Sequence, residues 1–194
     1  AIRVDTFRRL NLEQVWASAL SDDLSLSEAV AKAGLKIAFV PACMSASYES
    51  VSWKELWEFR RRQFLITRVY RPRMWLFGFF SSVFAVFGLW GGVAAAVWTL
   101  RTGRPSWILL LWPAVFAFCQ WLHAFLRQRM IGRLLEKDWD RLKPAARADL
   151  ALFWLFSIIL LGVIAASAVG RTLIWRGIRY RLRGPMRVEI LPAD

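Results

Sequence analysis

Two adjacent carboxylates, Asp22 and Asp23 in Ser21-Asp-Asp-Leu-Ser-Leu-Ser-Glu28, carry the most chemistry in this sequence. At a helix start, the dipole and free backbone N–H groups hold one carboxylate ionised, while its neighbour's charge raises the pKa of the other. Such a pair has the makings of a general base with an acidic partner, able to take a proton from a hydroxyl within hydrogen-bond reach. The plainer alternative is two residues that merely suit the first turn of a helix.

The elements that would position this pair are legible on either side of it. The spacing predicts a helix over Asp23 to Ala33, with Ser or Asp as N-cap and Gly34 at C′. Leu35-Lys-Ile-Ala-Phe-Val-Pro41 alternates as a strand that ends at its proline. Residues 1–50 thus read as a polar αβ unit, expected to complete a sheet supplied by upstream residues. Ser52-Trp-Lys-Glu55 is a capping box, and Val51 with Leu56 has the spacing of a hydrophobic staple. The helix they start should run to Tyr70 and end at Pro72. Its Trp53, Leu56, Trp57, Phe64 and Leu65 contrast with Arg60, Arg61, Arg62 and Arg68. That composition fits residues 51–73 lying along a membrane interface, or equally an amphipathic helix packed on the polar unit.

Composition makes the chain a membrane protein. Of 194 residues, 57% are hydrophobic and 12 are tryptophan, and the mean hydropathy is +0.38, beyond what a soluble domain carries. Residues 75–100 and 150–170 contain no charge, and residues 107–126 contain only Gln120 and His123 as strongly polar groups. Each stretch is long enough to cross the hydrocarbon as a helix, so residues 74–170 read as three spans. Gly91-Gly92 would bend the first or admit a close neighbour, and Pro113 would kink the second. Gln120 and His123 sit where they would meet a lipid headgroup or serve as interfacial anchors.

The net charge of +13 follows from the same organisation, and nucleic acid is not an expected partner. Seven basic residues lie between Arg127 and Arg147 and six between Arg171 and Arg187, beside the apolar segments, where anionic lipid and the positive-inside bias favour them. Three crossings would put these two clusters on opposite sides, so either the bias is overridden or one segment is re-entrant. Cys43 and Cys119 make neither a disulfide framework nor a metal cluster and are expected as buried small hydrophobes. The chain begins at Ala1 without an initiator methionine or signal-peptide core and reads as the carboxyl-terminal part of something longer.

The order of these features resembles the membrane-bound family 2 glycosyltransferases, and most the bacterial relatives of ceramide glucosyltransferase. Residues 1–10 are similar to the segment after the family's sheet centre, and Asp22 to Gly34 to its acidic pair, helix and glycine, followed by strand and proline. The resemblance implies a GT-A-type α/β fold for residues 1–50, with Asp23 as catalytic base and Asp22 as its acidic neighbour. The family's Gln/Arg-x-x-Arg-Trp element is matched in register by Arg60, Arg62, Gln63 and Phe64, with Arg68 following. Gln63 stands at the arginine position and Phe64 at the tryptophan position, and a shift of one residue brings Arg62 to the arginine. These residues are implied to hold acceptor and diphosphate. Trp175-Arg-Gly-Ile-Arg-Tyr180 is similar to the group's tail element, placing Trp175, Arg176 and Tyr180 at the interface in the basic tail, residues 171–194.

The resemblance further implies transfer of a hexose, glucose first, from UDP-glucose to a lipid hydroxyl such as ceramide, in the bacterial inner membrane with the catalytic part cytoplasmic. A divalent cation, magnesium or manganese, is expected in a nucleotide-binding half, because no glycine-rich loop or spaced carboxylate pair precedes Asp22. Residues 1–194 alone are therefore expected to be inactive and to bind no metal. Two alternatives remain: a processive polysaccharide synthase, for which three spans are few, and a non-enzymatic scaffold gripping anionic lipid.

Overall fold

The structure is a computed structural model that describes residues 2–17, 19–175, 177–185 and 187–192. It is mostly helical: α1 Val4–Arg9, α2 Leu12–Ala17, α3 Asp22–Lys32, α4 Trp53–Tyr70, α5 Pro72–Arg101, α6 Trp107–Leu134, α7 Trp139–Ala151 and α8 Phe153–Ala168. A three-stranded antiparallel sheet follows, with β1 Thr172–Trp175, β2 Ile178–Gly184 and β3 Arg187–Leu191 in the order β1-β2-β3. The chain divides into two compact units. One comprises Ala1–Phe39, Lys54–Trp75 and Ala166–Asp194; the other comprises Val40–Trp53 and Leu76–Ala165.

In the first unit, α3 has both expected ends. The Ser21 hydroxyl accepts the Leu24 N–H at 3.4 Å. At the other end Gly34 takes φ +68°, with Gly34 N–H bonded to Ala31 O and Leu35 N–H to Val30 O. That is a Schellman motif, and the left-handed residue in it favours glycine. The strand expected at 35–40 is absent, and the described residues before α4 contain helices and a 3-10 turn only. The alternation of Leu35, Ile37 and Phe39 is present, but no neighbouring strand pairs with their backbone, and an unpaired segment is not a sheet.

The sheet is instead built from the tail. In β2, Tyr180 and Leu182 alternate with Arg179, Arg181 and Arg183, so the period of two puts the apolar pair on one face. Leu182 and Leu173 are buried there with Leu65, Ile66 and Tyr70 of α4, and Leu24 of α3 packs at the edge. Burying each such side chain stabilises by about 1.5–3 kcal/mol.

The second unit holds most of the apolar sequence. α5 and α6 are long and apolar enough to cross a membrane. Their exposed Phe84, Phe87, Trp98, Ile108 and Phe118 are the surface a lipid environment would cover. Gly92 supplies the close approach expected of the glycine pair, since a Cβ there would lie 2.6 Å from Trp112. Gly88 is tighter still, at 1.9 Å from the Phe116 ring. Pro113 lies inside α6 without interrupting it. The third expected span is not one straight helix of membrane length. α8 has 16 residues, and the α7–α8 pair is bent by 84° at Leu152. The cysteines also differ from expectation. Cys43 and Cys119 are both exposed, Cys119 in the apolar first half of α6.

Candidate functional site

The acidic pair opens α3 on its exposed side. The Asp22 carbonyl accepts from the Trp16 indole at 3.3 Å and the Ser25 hydroxyl at 3.1 Å, and the Asp23 carbonyl accepts from the Ser27 hydroxyl at 2.7 Å. These bonds fix the backbone of the first turn. Among the described residues neither carboxylate makes a hydrogen bond or ion pair, so both face outward ready for one. The turn is anchored from α4, where the Tyr70 hydroxyl oxygen accepts the N–H groups of Leu20 at 3.0 Å and Ser21 at 3.4 Å.

The arginines of α4 divide into three kinds. Arg60 and Gln63 are exposed, and the Gln63 carbonyl accepts the Thr67 hydroxyl at 2.8 Å. Arg61 and Arg68, two turns apart, face the end of α8. Arg61 donates to Ala166 O at 3.2 Å and Val169 O at 3.1 Å, and Arg68 donates to Ala168 O and Gly170 O. The last carbonyls of a helix have no internal partner and carry partial negative charge, so two guanidinium groups satisfy both needs. Burial, and then the nearby Arg171 and Arg61, push the Arg68 pKa down. Arg68 is thus engaged by backbone. Arg62 takes a third place, 5.4 Å from the Phe59 ring and 5.6 Å from the Trp175 ring, with Tyr180 6.4 Å beyond Trp175. Phe64 is half-buried.

The structure therefore joins Arg62 to Trp175 and Tyr180, two groups that the sequence offered separately. It does not join Arg60 or Arg62 to the acidic pair. They lie eight to ten residues, about 12–15 Å of helix, before Tyr70, where α3 is held. Arg176 lies outside the described residues.

Two features escaped sequence reasoning. The first is a cleft of about 560 Å³ lined by Ser25, Glu28 and Lys32 of α3 and by Arg183, Pro185 and Arg187 of the sheet. Lys32 pairs with Glu28 at 2.9 Å and Arg183 with Glu189 at 3.0 Å. The hydrogen bond from Lys32 holds the Glu28 carboxyl below its usual range. The strand alternation of 178–184 was the signal that would have found this wall. The second is Asp138-Trp-Asp140, an Asp-x-Asp sequence after α6. Asp138 accepts the Tyr48 hydroxyl at 2.6 Å, which raises the Tyr48 pKa, and Asp140 pairs with Lys143 at 2.5 Å. Both carboxylates are thus engaged by side chains. Among the described residues no three His, Cys, Asp or Glu side chains gather as a metal site.

Gln120 and His123, alike in the sequence, have different surroundings. Gln120 donates to Ala85 O at 2.9 Å and accepts the Ser157 hydroxyl at 2.8 Å, tying α5, α6 and α8 together. His123, less than one turn on, is exposed. Comparison with protein-family models, curated proteins and solved structures found no match to this chain.

Proposed function

We propose that this chain is the acceptor-side and membrane part of a glycosyltransferase that moves a hexose, glucose first, from a nucleotide sugar to the hydroxyl of a membrane lipid. One observation carries the reading. The exposed Asp22–Asp23 turn is held by Tyr70, the last residue of the arginine-rich helix, and Pro72 opens the first membrane-length helix two residues later. A base held at the point where the chain enters the bilayer can meet a lipid hydroxyl without the lipid leaving the membrane.

In this reading Asp23 takes the proton of the lipid hydroxyl as its oxygen attacks the anomeric carbon. The bond from that carbon to the diphosphate breaks, and the diphosphate leaves with the electron pair. Asp22 stands beside it as the acidic neighbour. Arg60 and Arg62 would meet the growing diphosphate charge, Arg62 by leaving its aromatic partners. A divalent cation bound with the sugar nucleotide would neutralise that diphosphate. Among the described residues no cluster of His, Cys, Asp or Glu fits such an ion. The bacterial inner membrane, with the first unit cytoplasmic, is the setting this reading takes.

The test is Asp23→Asn in a form of the enzyme that binds the donor. Turnover should fall by about 100-fold or more, while binding of the nucleotide sugar is retained, and a single-sugar glycolipid should disappear from lipid extracts. Full turnover in Asp23→Asn would remove the assignment. A non-catalytic reading has one observation in its favour: Arg179, Arg181 and Arg183 share the face of β2 opposite Leu182, with Glu189 across from Arg181 as the acidic residue on that face. Unchanged lipid products on deletion of the gene, with loss of binding to anionic vesicles, would favour that reading.

A further inference from the structure

The membrane unit contains a groove that the acidic-pair reading does not use. It encloses about 360 Å³ between α5, α6 and α8, with Ser81, Gln120, His123 and Arg127 facing Phe153 and Phe156. Gln120 is occupied on both sides of its amide, by Ala85 and Ser157, and so forms a fixed floor. Arg127 makes a bidentate pair with Asp149 at 2.6–3.1 Å, and Gln128 donates to the same carboxylate at 2.6 Å. The guanidinium charge is therefore matched, although the Arg127 side chain remains 47% exposed. Ser81 and His123 are exposed and make no hydrogen bond among the described residues.

Depth gives these groups meaning. Arg127 lies 20 residues after Trp107, about 30 Å of helix, which equals the hydrocarbon thickness. Arg127 then stands at the headgroup boundary, and His123 lies one turn inside it. The exposed face of a crossing helix looks onto lipid, where a polar side chain is costly unless a polar group meets it. At that level the available groups are the hydroxyls, esters and amides at the neck of a lipid. A phosphate would bring an unmatched charge beside an ion pair that is already neutral. An uncharged hydroxyl supplies both a donor and an acceptor, which an imidazole and a serine hydroxyl can use.

We propose that this groove binds one membrane lipid whose headgroup is uncharged and carries a hydroxyl. The hydroxyl bonds His123 and Ser81, and the acyl chain runs along Phe153, Phe156 and Leu160. The proposal stands on the groove alone and holds whether or not the acidic pair transfers sugar.

The experiment places the 194-residue chain in phosphatidylcholine nanodiscs containing a photoactivatable diazirine analogue of diacylglycerol or of phosphatidylglycerol, and maps the crosslinks by mass spectrometry. The diacylglycerol probe should label residues 120–127 and 153–160, and unlabelled diacylglycerol should compete. Either His123→Leu or Ser81→Ala should lower that labelling about fivefold, the loss of one hydrogen bond. His123→Gln, which keeps a donor and an acceptor, should retain most of it. Equal labelling by both probes, labelling spread evenly along α5 and α6, or unchanged labelling in His123→Leu would each overturn the proposal. Because the readout is lipid occupancy, sugar transfer can fail while the groove holds its lipid, and the reverse result separates the two readings equally well.

Discussion

Tyr70 links the acidic pair to the rest of its unit. Its hydroxyl accepts two N–H groups from residues 49 and 50 positions earlier, the Ser21 cap and Leu20 before it. Removing that oxygen leaves both donors without a partner in a partly buried place, at a cost of about 1–3 kcal/mol. Tyr70→Phe should therefore lower the thermal unfolding midpoint in detergent. Tyr180→Phe serves as the control, because its hydroxyl has no hydrogen bond among the described residues. Equal midpoints for the two variants would show that the Tyr70 contact contributes nothing. The ends of α3 were legible from sequence because Ser21 and Gly34 act through local backbone geometry. The role of Tyr70 was not, since no local pattern says which distant N–H a tyrosine will reach. The same limit applies to Arg61 and Arg68. The sequence offered Arg68 to a diphosphate and Arg61 only to the basic face of the helix, and the structure gives both the carbonyl oxygens at the end of α8.

Among the elements, the tail shows how one signal can mask another. Residues 178–184 alternate as cleanly as residues 35–40, yet six arginines made the tail read as a basic segment at the membrane interface. What separates the two stretches is pairing. Leu173 faces Tyr180 across one ladder and Val188 faces Leu182 across the other, whereas residues 35–40 have no ladder. Alternation marks a strand only where a partner exists, and partners are long-range information. The long helices were legible because twenty uncharged residues need no partner to declare themselves. Their contact was half legible: Gly91-Gly92 signalled close approach, and the tighter contact lies one turn earlier at Gly88. Gly88→Val should thus be more damaging than Gly91→Val, whose Cβ meets nothing within 4 Å. The first forces the Phe116 ring aside at a cost of about 1–3 kcal/mol, read as a lower midpoint in detergent, and the second should leave the midpoint nearly unchanged. The opposite order would mean that α5 and α6 do not pack through Gly88.

For the whole molecule, the open question is how often the chain crosses the bilayer. Three apolar runs put the basic residues of 127–147 and those of 171–187 on opposite sides, against the positive-inside bias. The core of the first unit argues otherwise. Leu65, Ile66 and Tyr70 of α4 are buried with Leu173 and Leu182 of the sheet, so α4 and the tail occupy one side. α5 leaves that side at Pro72, immediately after α4. α6 returns to it, because Ala85 meets Gln120 while Gly88, further along α5, meets Trp112 and Phe116, earlier on α6. With α5 and α6 crossing once each, α7 and α8 add no net crossing as a re-entrant loop and one crossing as a broken span. The 16 residues of α8 reach about 24 Å, short of the hydrocarbon thickness, and the 84° bend at its start suits a re-entrant hairpin as well as a broken span. Its break keeps its backbone bonds, Leu152 N–H to Ala148 O and Phe156 N–H to Leu152 O, as a non-spanning segment in lipid must. A re-entrant pair would put both basic clusters on one side, with Arg101 and Arg104 opposite, as the positive-inside bias favours. With Cys43 and Cys119 replaced by serine, single cysteines at Ser106→Cys, Lys143→Cys and Ile190→Cys test this with a membrane-impermeant maleimide on sealed vesicles of known orientation. Positions 143 and 190 should label from one face and 106 from the other. Labelling of 143 and 190 from opposite faces would return the count to three crossings and remove the re-entrant hairpin.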